Sequence, residues 1–216
     1  GQWHCILGRS GVGKSSLLRI MAGLQQPDRG TVNTVNGELL THQVAHMSQE
    51  DGLLPWLSAL DNVQLGPRLR GCSNAQTRQR ALELLGEVGL QQWAASLPEQ
   101  LSGGMRQRVA LARTLMEDRS IVLMDEPFSK LDAVTRYELQ ALACHLLQGC
   151  TVVLVTHDPQ EALRLGHTVT VLTGSVEQEL TQRRFHDEPL REFDSAAFKH
   201  HLPELWNALQ GEALTT

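Results

Sequence analysis

The sequence predicts an α/β fold in which helices cover a mainly parallel sheet and one all-helical segment is inserted. Three observations predict it. Short apolar runs alternate with segments of helical period, the pattern of crossover connections between parallel strands. Two of those runs, Ile121–Met124 and Thr151–Val155, are unbroken aliphatic and β-branched stretches suited to strands buried on both faces. Residues 52–100 carry helix and turn signals but little strand.

Strands are expected at His4–Leu7, Val44–Met47, Ile121–Met124 and Thr151–Val155. Helices are expected at Lys14–Ala22, Gln76–Val88, Gly104–Met116, Val134–Leu147 and Pro159–Leu165, several closed by a glycine such as Gly23, Gly89, Gly149 or Gly166. The tail from about Arg183 is more polar, and a weak helical pattern resumes over Leu202–Leu209. The expectation is one domain over residues 1–216, with residues 52–100 as a helical subdomain inserted in its core.

Composition excludes several classes. A chain of 216 residues, 41% hydrophobic and 20% charged, can bury a globular core. Its net charge of -5 and isoelectric point near 6.0 provide no basic footprint for phosphate backbones, so no nucleic-acid partner is expected. No apolar stretch approaches the roughly 18 residues of a membrane-spanning helix, and the first residues are too polar for a signal peptide. Cys5, Cys72, Cys144 and Cys150 show neither CxxC pairing nor zinc-finger spacing, which fits reduced thiols in a cytoplasmic protein.

Chemistry enters at Gly8-Arg9-Ser10-Gly11-Val12-Gly13-Lys14-Ser15, which follows a strand and opens a helix. Three glycines let the backbone wrap closely enough for its N–H groups to point at phosphate oxygens, and the helix N-terminus adds partial positive charge. Phosphate is the expected ligand, with Ser16 also at the site. Lys14 is placed to reach β- and γ-phosphates and the Ser15 hydroxyl to ligate magnesium.

A second element is Ile121-Val122-Leu123-Met124-Asp125-Glu126, an apolar strand ending in two carboxylates where parallel sheets place their ligands. Asp125 suits a magnesium ligand and Glu126 a base for an attacking water; taken alone, such a pair is equally a solvated loop.

The third element is Leu101-Ser102-Gly103-Gly104-Met105, followed by Arg106-Gln107-Arg108 and a helix, with Ser102 lying 23 residues before Asp125. Here the chain resembles the ABC ATPase family, and the likeness covers nearly all of it. In order come the phosphate loop, Gln49 at a strand end, the signature Leu101–Met105, the acidic strand end, Ser129-Lys130-Leu131-Asp132, and His157 after another strand. The resemblance implies a P-loop ABC ATPase fold binding ATP and Mg2+. It implies that Gln49 contacts magnesium or water, that Ser102, Gly103 and Gly104 meet the γ-phosphate held by another subunit, and that His157 is the switch histidine. Asp132 takes the D-loop position. Ser15, Gln49 and Asp125 are the implied metal residues, and Glu126, His157 and Gln49 the catalytic ones.

The same resemblance implies a head-to-tail homodimer or paired ATPase, transmembrane permease subunits, an extracytoplasmic solute-binding protein acting indirectly, and a place on the cytoplasmic face of the inner membrane. The run Met47-Ser48-Gln49-Glu50-Asp51-Gly52-Leu53-Leu54-Pro55-Trp56-Leu57, continuing to Asp61-Asn62-Val63, is similar to bacterial importers for nitrate, sulfonates, taurine and pyrimidine precursors. Leu54, Trp56 and Leu57 fit a groove for a permease helix and fit equally the core of the helical lobe.

Three departures stand out: Met105 replaces a common glutamine, Lys130 replaces a small residue, and the family's upstream strands with their adenine-stacking aromatic are missing from this text. Trp3 lies too close to Gly8 to fold back over the base. Two other classes fit less well. DNA-maintenance ABC ATPases insert coiled coils or zinc modules, whereas only 86 residues separate Ser15 from Ser102 here and none repeats in heptads. A non-catalytic nucleotide-binding module is disfavoured by the chemistry kept at Glu126 and His157.

Overall fold

The computed structural model describes residues 1–34, 36–37, 39–40, 43–173, 181–185 and 187–210. The chain forms two compact units: residues 1–44, 120–126 and 148–216 in one, residues 45–119 and 127–147 in the other. β2 (Val44–Met47) starts on the last residue before the first crossing and runs into the second unit.

The first unit is built on five strands in the order β3-β4-β1-β5-β6. β1 (Trp3–Gly8) lies parallel to β4 (Thr151–Thr156) and to β5 (Thr168–Leu172), and β3 (Ile121–Asp125) runs parallel to β4. β6 (Thr181–Arg184) closes this edge antiparallel to β5. Register aligns the strand ends: Leu7 pairs with Thr156, and Asp125 with Val155. The carboxyl termini of β1, β3 and β4 therefore share one edge of the sheet, where α/β proteins bind ligands.

Helix α1 (Lys14–Met21) inserts Leu18 into a buried cluster with Leu123, Val153 and Val155, flanked by Ile6 and Met21. Complete burial of a leucine side chain contributes about 1.5–3 kcal/mol, so this packing fixes α1 on the sheet. α7 (Pro159–Leu165) begins with Asp158 capping the Gln160 N–H and proline at its first position, then packs on β1 and β4. α8 (Ala196–Gln210) packs against α7 and β5, burying Phe198, Leu205 and Ala208.

The second unit is helical beyond β2: α2 (Ala59–Val63), α3 (Leu65–Leu69), α4 (Ala75–Glu87), α5 (Gly103–Leu115) and α6 (Ala133–Leu146). α5 is its centre, packed against α2, α4 and α6 through buried Val109, Leu111 and Ala112. Asn74 and Thr77 form a reciprocal capping box at the start of α4. Among the described residues, 52–100 hold helices and turns and no strand.

The expected strands and helices are present, their ends shifted by one residue or less, apart from the tail helix, which is longer. β5, β6, α2 and α3 were not anticipated. Among the described residues no helix is long and apolar enough to cross a membrane, and no disulfide joins the four cysteines.

Candidate functional site

β1 delivers the chain into the glycine loop, and the loop's conformation explains its residues. Gly11 and Gly13 have φ of 82° and 103°, which L side chains rarely adopt. Gly13 is the residue preceding α1, so its turn aims the first N–H groups of α1 at the loop's concave side. Arg9, Ser10, Gly11, Gly13, Ser15 and Ser16 are exposed and Val12 half-buried, while Gly8 is buried. Lys14 is only 4% exposed, and its ammonium donates to the carbonyls of Gly8 at 2.8 Å and Arg9 at 3.0 Å. The loop thus holds its own cation across the space that anionic oxygens would occupy.

The carboxyl end of β3 meets this loop. The Ser15 hydroxyl donates to Asp125 Oδ1 at 3.0 Å. One residue on, Glu126 sits at φ 45°, a left-handed conformation that costs about 1–3 kcal/mol and persists only where surroundings enforce it. They do. The Glu126 N–H donates to the Val155 carbonyl at 2.9 Å. One carboxylate oxygen lies 2.9 Å from His157 Nδ1 and the other 3.6 Å from Lys14 Nζ. His157 directly follows β4 and remains about half exposed, whereas the Glu126 side chain is 14% exposed. Lys14, Ser15, Asp125, Glu126 and His157 are thereby brought together on the first unit.

The remaining predicted residues belong to the second unit. Gln49 is exposed two residues beyond β2, so the strand stops short of it. Ser102 caps α5 by accepting the Met105 N–H at 3.2 Å, and Ser102 and Gly103 are exposed. The cap uses the backbone of residue 105, so methionine there leaves it intact. A Cβ on Gly104 would lie 2.6 Å from Thr135 Cγ2, so any larger residue there would have to displace the Thr135 side chain. Asp132 caps α6, and hydrogen bonds from Thr135, first from its side chain and then from its N–H, hold the Asp132 carboxyl below the usual range.

Several residues that organise these loops were not singled out from sequence. The Arg113 guanidinium donates to the carbonyls of Gly52 (2.8 Å) and Asp51 (2.5 Å), and Arg106 pairs with the Asp51 carboxylate at 3.0 Å. α5 thus clamps the segment just after Gln49. Gln107, buried in α5, donates to the Pro127 carbonyl. Asn62, fully buried, accepts the Leu54 N–H at 2.8 Å and donates to the carbonyls of Leu54, Leu57 and Ser58. It folds the loop so that Leu54 and Leu57 turn partly inward while Trp56 stays 71% exposed. Of the two readings of Trp56, its exposure supports the outward-facing one.

A glycine loop between a parallel strand and a helix, with acidic groups at the end of another parallel strand of the same sheet, one strand removed, defines the P-loop class of nucleotide-hydrolysing proteins. Residues 1–129 match the family model described as ABC transporter. The chain is 48% identical over 208 residues to an aliphatic sulfonates import ATP-binding protein of Rhodococcus jostii, covering 94% of this chain and 81% of that one. It is 45% identical over 179 residues to a taurine import ATP-binding protein of Pseudomonas aeruginosa, covering 81% and 68%. Its fold is similar to an ATP-binding cassette solved as a dimer in a post-hydrolysis state with ADP and Pi, with TM-score 0.73, 36% identity and coverage of 89% and 87%. The chain belongs to the ABC transporter family and is one of its ATP-binding, ATP-hydrolysing cassettes.

Proposed function

We propose that this cassette powers import of a small solute, hydrolysing ATP at the cytoplasmic face of a bacterial membrane while bound to permease subunits. The names of the sulfonate and taurine relatives support the import direction and a small-solute cargo. The cargo itself is chosen by the partner subunits and by an extracytoplasmic solute-binding protein.

The carrying observation is the convergence of Lys14, His157 and the Ser15–Asp125 pair around Glu126. On ATP binding, the N–H groups of the glycine loop and α1 would take the phosphates, and Lys14 would exchange the Gly8 and Arg9 carbonyls for β- and γ-phosphate oxygens. Ser16, beside Ser15, joins this phosphate-facing turn. The oxygens of Ser15 and Asp125, 3.0 Å apart, fit adjacent ligands of an octahedral magnesium, which lie about 2.9 Å apart for bonds of 2.0–2.1 Å. The family resemblance adds Gln49 to the residues proposed to hold the ion, which would neutralise phosphate charge.

Glu126 accepts the proton of the attacking water. Its neighbours keep it aimed: the constrained backbone and the His157 contact leave the carboxylate little freedom. His157 then faces the γ-phosphate. The exposed Ser102–Gly104 turn, a hydroxyl and free N–H groups at a helix start, suits the γ-phosphate bound by a second copy. Two copies head to tail then make two composite sites.

Replacing Glu126 with Gln tests the reading. ATP binding should persist, turnover should fall by on the order of 10²-fold or more, and ATP should accumulate a dimer. Near-normal turnover would remove Glu126 as the base.

A further inference from the structure

We propose that α8 carries a binding site for a zinc-class divalent metal, made by His200, His201 and Glu204 on the first unit, apart from the nucleotide site. Helical spacing produces it. Residues three and four positions apart share a face, so Glu204 meets both His201 and His200 one turn earlier. Nδ1 of His201 lies 3.1 Å from Oε2 of Glu204, and Nε2 of His200 lies 3.6 Å from Oε1. All three ligand atoms fall within 4.8 Å of one another. Tetrahedral zinc with bonds of 2.0–2.2 Å sets its ligands about 3.3–3.6 Å apart, so small side-chain adjustments suffice.

The Glu204 side chain is 17% exposed, and Arg183 approaches its Oε2 at 3.7 Å. Imidazole nitrogens and carboxylate oxygens are common zinc ligands. Outer contacts orient two of the three ligands: Arg183 steadies Glu204, and the Phe185 ring packs edge-on against His201 with centroids 5.1 Å apart. His200, 70% exposed, leaves the site open for entry, with water completing the coordination.

Titration of the nucleotide-free full chain with Zn2+, followed by calorimetry and thermal unfolding, tests the site. One ion per chain should bind and raise the unfolding midpoint. Co2+ in its place should develop the intense visible bands of tetrahedral coordination. His200→Ala, a change at an exposed position that leaves folding intact, and Glu204→Gln should each weaken binding at least about tenfold and abolish the Co2+ bands. Zinc stoichiometry and Co2+ bands that are unchanged in His200→Ala would overturn the proposal, as would the absence of binding to the unmodified chain.

Discussion

His157 Nδ1 stands 2.9 Å from Glu126 Oε2, although the two residues are 31 positions apart. Parallel pairing of β3 with β4 creates the contact, since Asp125 is opposite Val155 and each functional residue follows its strand. His157→Ala should leave ATP affinity nearly unchanged and lower kcat by on the order of 10²-fold, the usual cost of one aimed polar group at a reacting centre. Steady-state kinetics beside a nucleotide titration checks this. A loss confined to affinity would assign His157 to binding.

Lys130, the unusual residue of its loop, pairs with Glu50 at 2.9 Å, next to Gln49. Both side chains are largely exposed, so the pair is worth roughly 0.2–1 kcal/mol and serves position more than stability. Lys130→Glu and Glu50→Lys should each lower kcat by at most about fivefold without moving Tm, and the double exchange should restore it. High salt should shrink the difference between the single variants and the unmodified chain. Additive losses in the double variant would show that the two charges act separately.

Trp56 and Asn62 should separate cleanly. Trp56→Asp changes an exposed side chain, so Tm should hold while copurification with the permease and its stimulation of ATPase activity are lost. Asn62→Ala removes the side-chain partner of the Leu54 N–H and of the Leu57 carbonyl, while the Leu54 and Ser58 carbonyls keep backbone donors; the cost is about 2 kcal/mol, lowering Tm by about 4–8 °C. Equal Tm losses in both would place Trp56 in the fold after all.

Trp3 is 4% exposed at the start of β1, paired with Val152, which suits a core residue and not a platform for adenine. Trp3→Ala should destabilise the chain by about 3–5 kcal/mol. The molecules that remain folded should keep the same ratio of ATP to GTP affinity, measured by competition. A changed ratio would make Trp3 part of base recognition.

The contiguous elements of the site were legible because their geometry is local. The glycine loop, with positive φ at Gly11 and Gly13, and the aliphatic runs of β3 and β4 are each specified by neighbouring residues. Long helices were legible for the same reason, through a period repeated over several turns. α2 and α3, five residues each, are too short to display one. β5 and β6 owe their strand state to pairing with each other and with β1, which no five-residue window contains.

What the sequence alone determined is therefore the glycine loop, the acidic strand end and the run Leu101–Met105, together with the family they indicate. Tertiary structure decided the partnerships: Glu126 with His157 and Lys14, Lys130 with Glu50, and Arg113 with the carbonyls after Gln49. It also decided that Trp56 faces outward while Trp3 is buried. Caps and turns depend on torsions within a few residues, but contacts across 31 to 112 positions depend on strand register and helix packing, which exist only once the chain has folded.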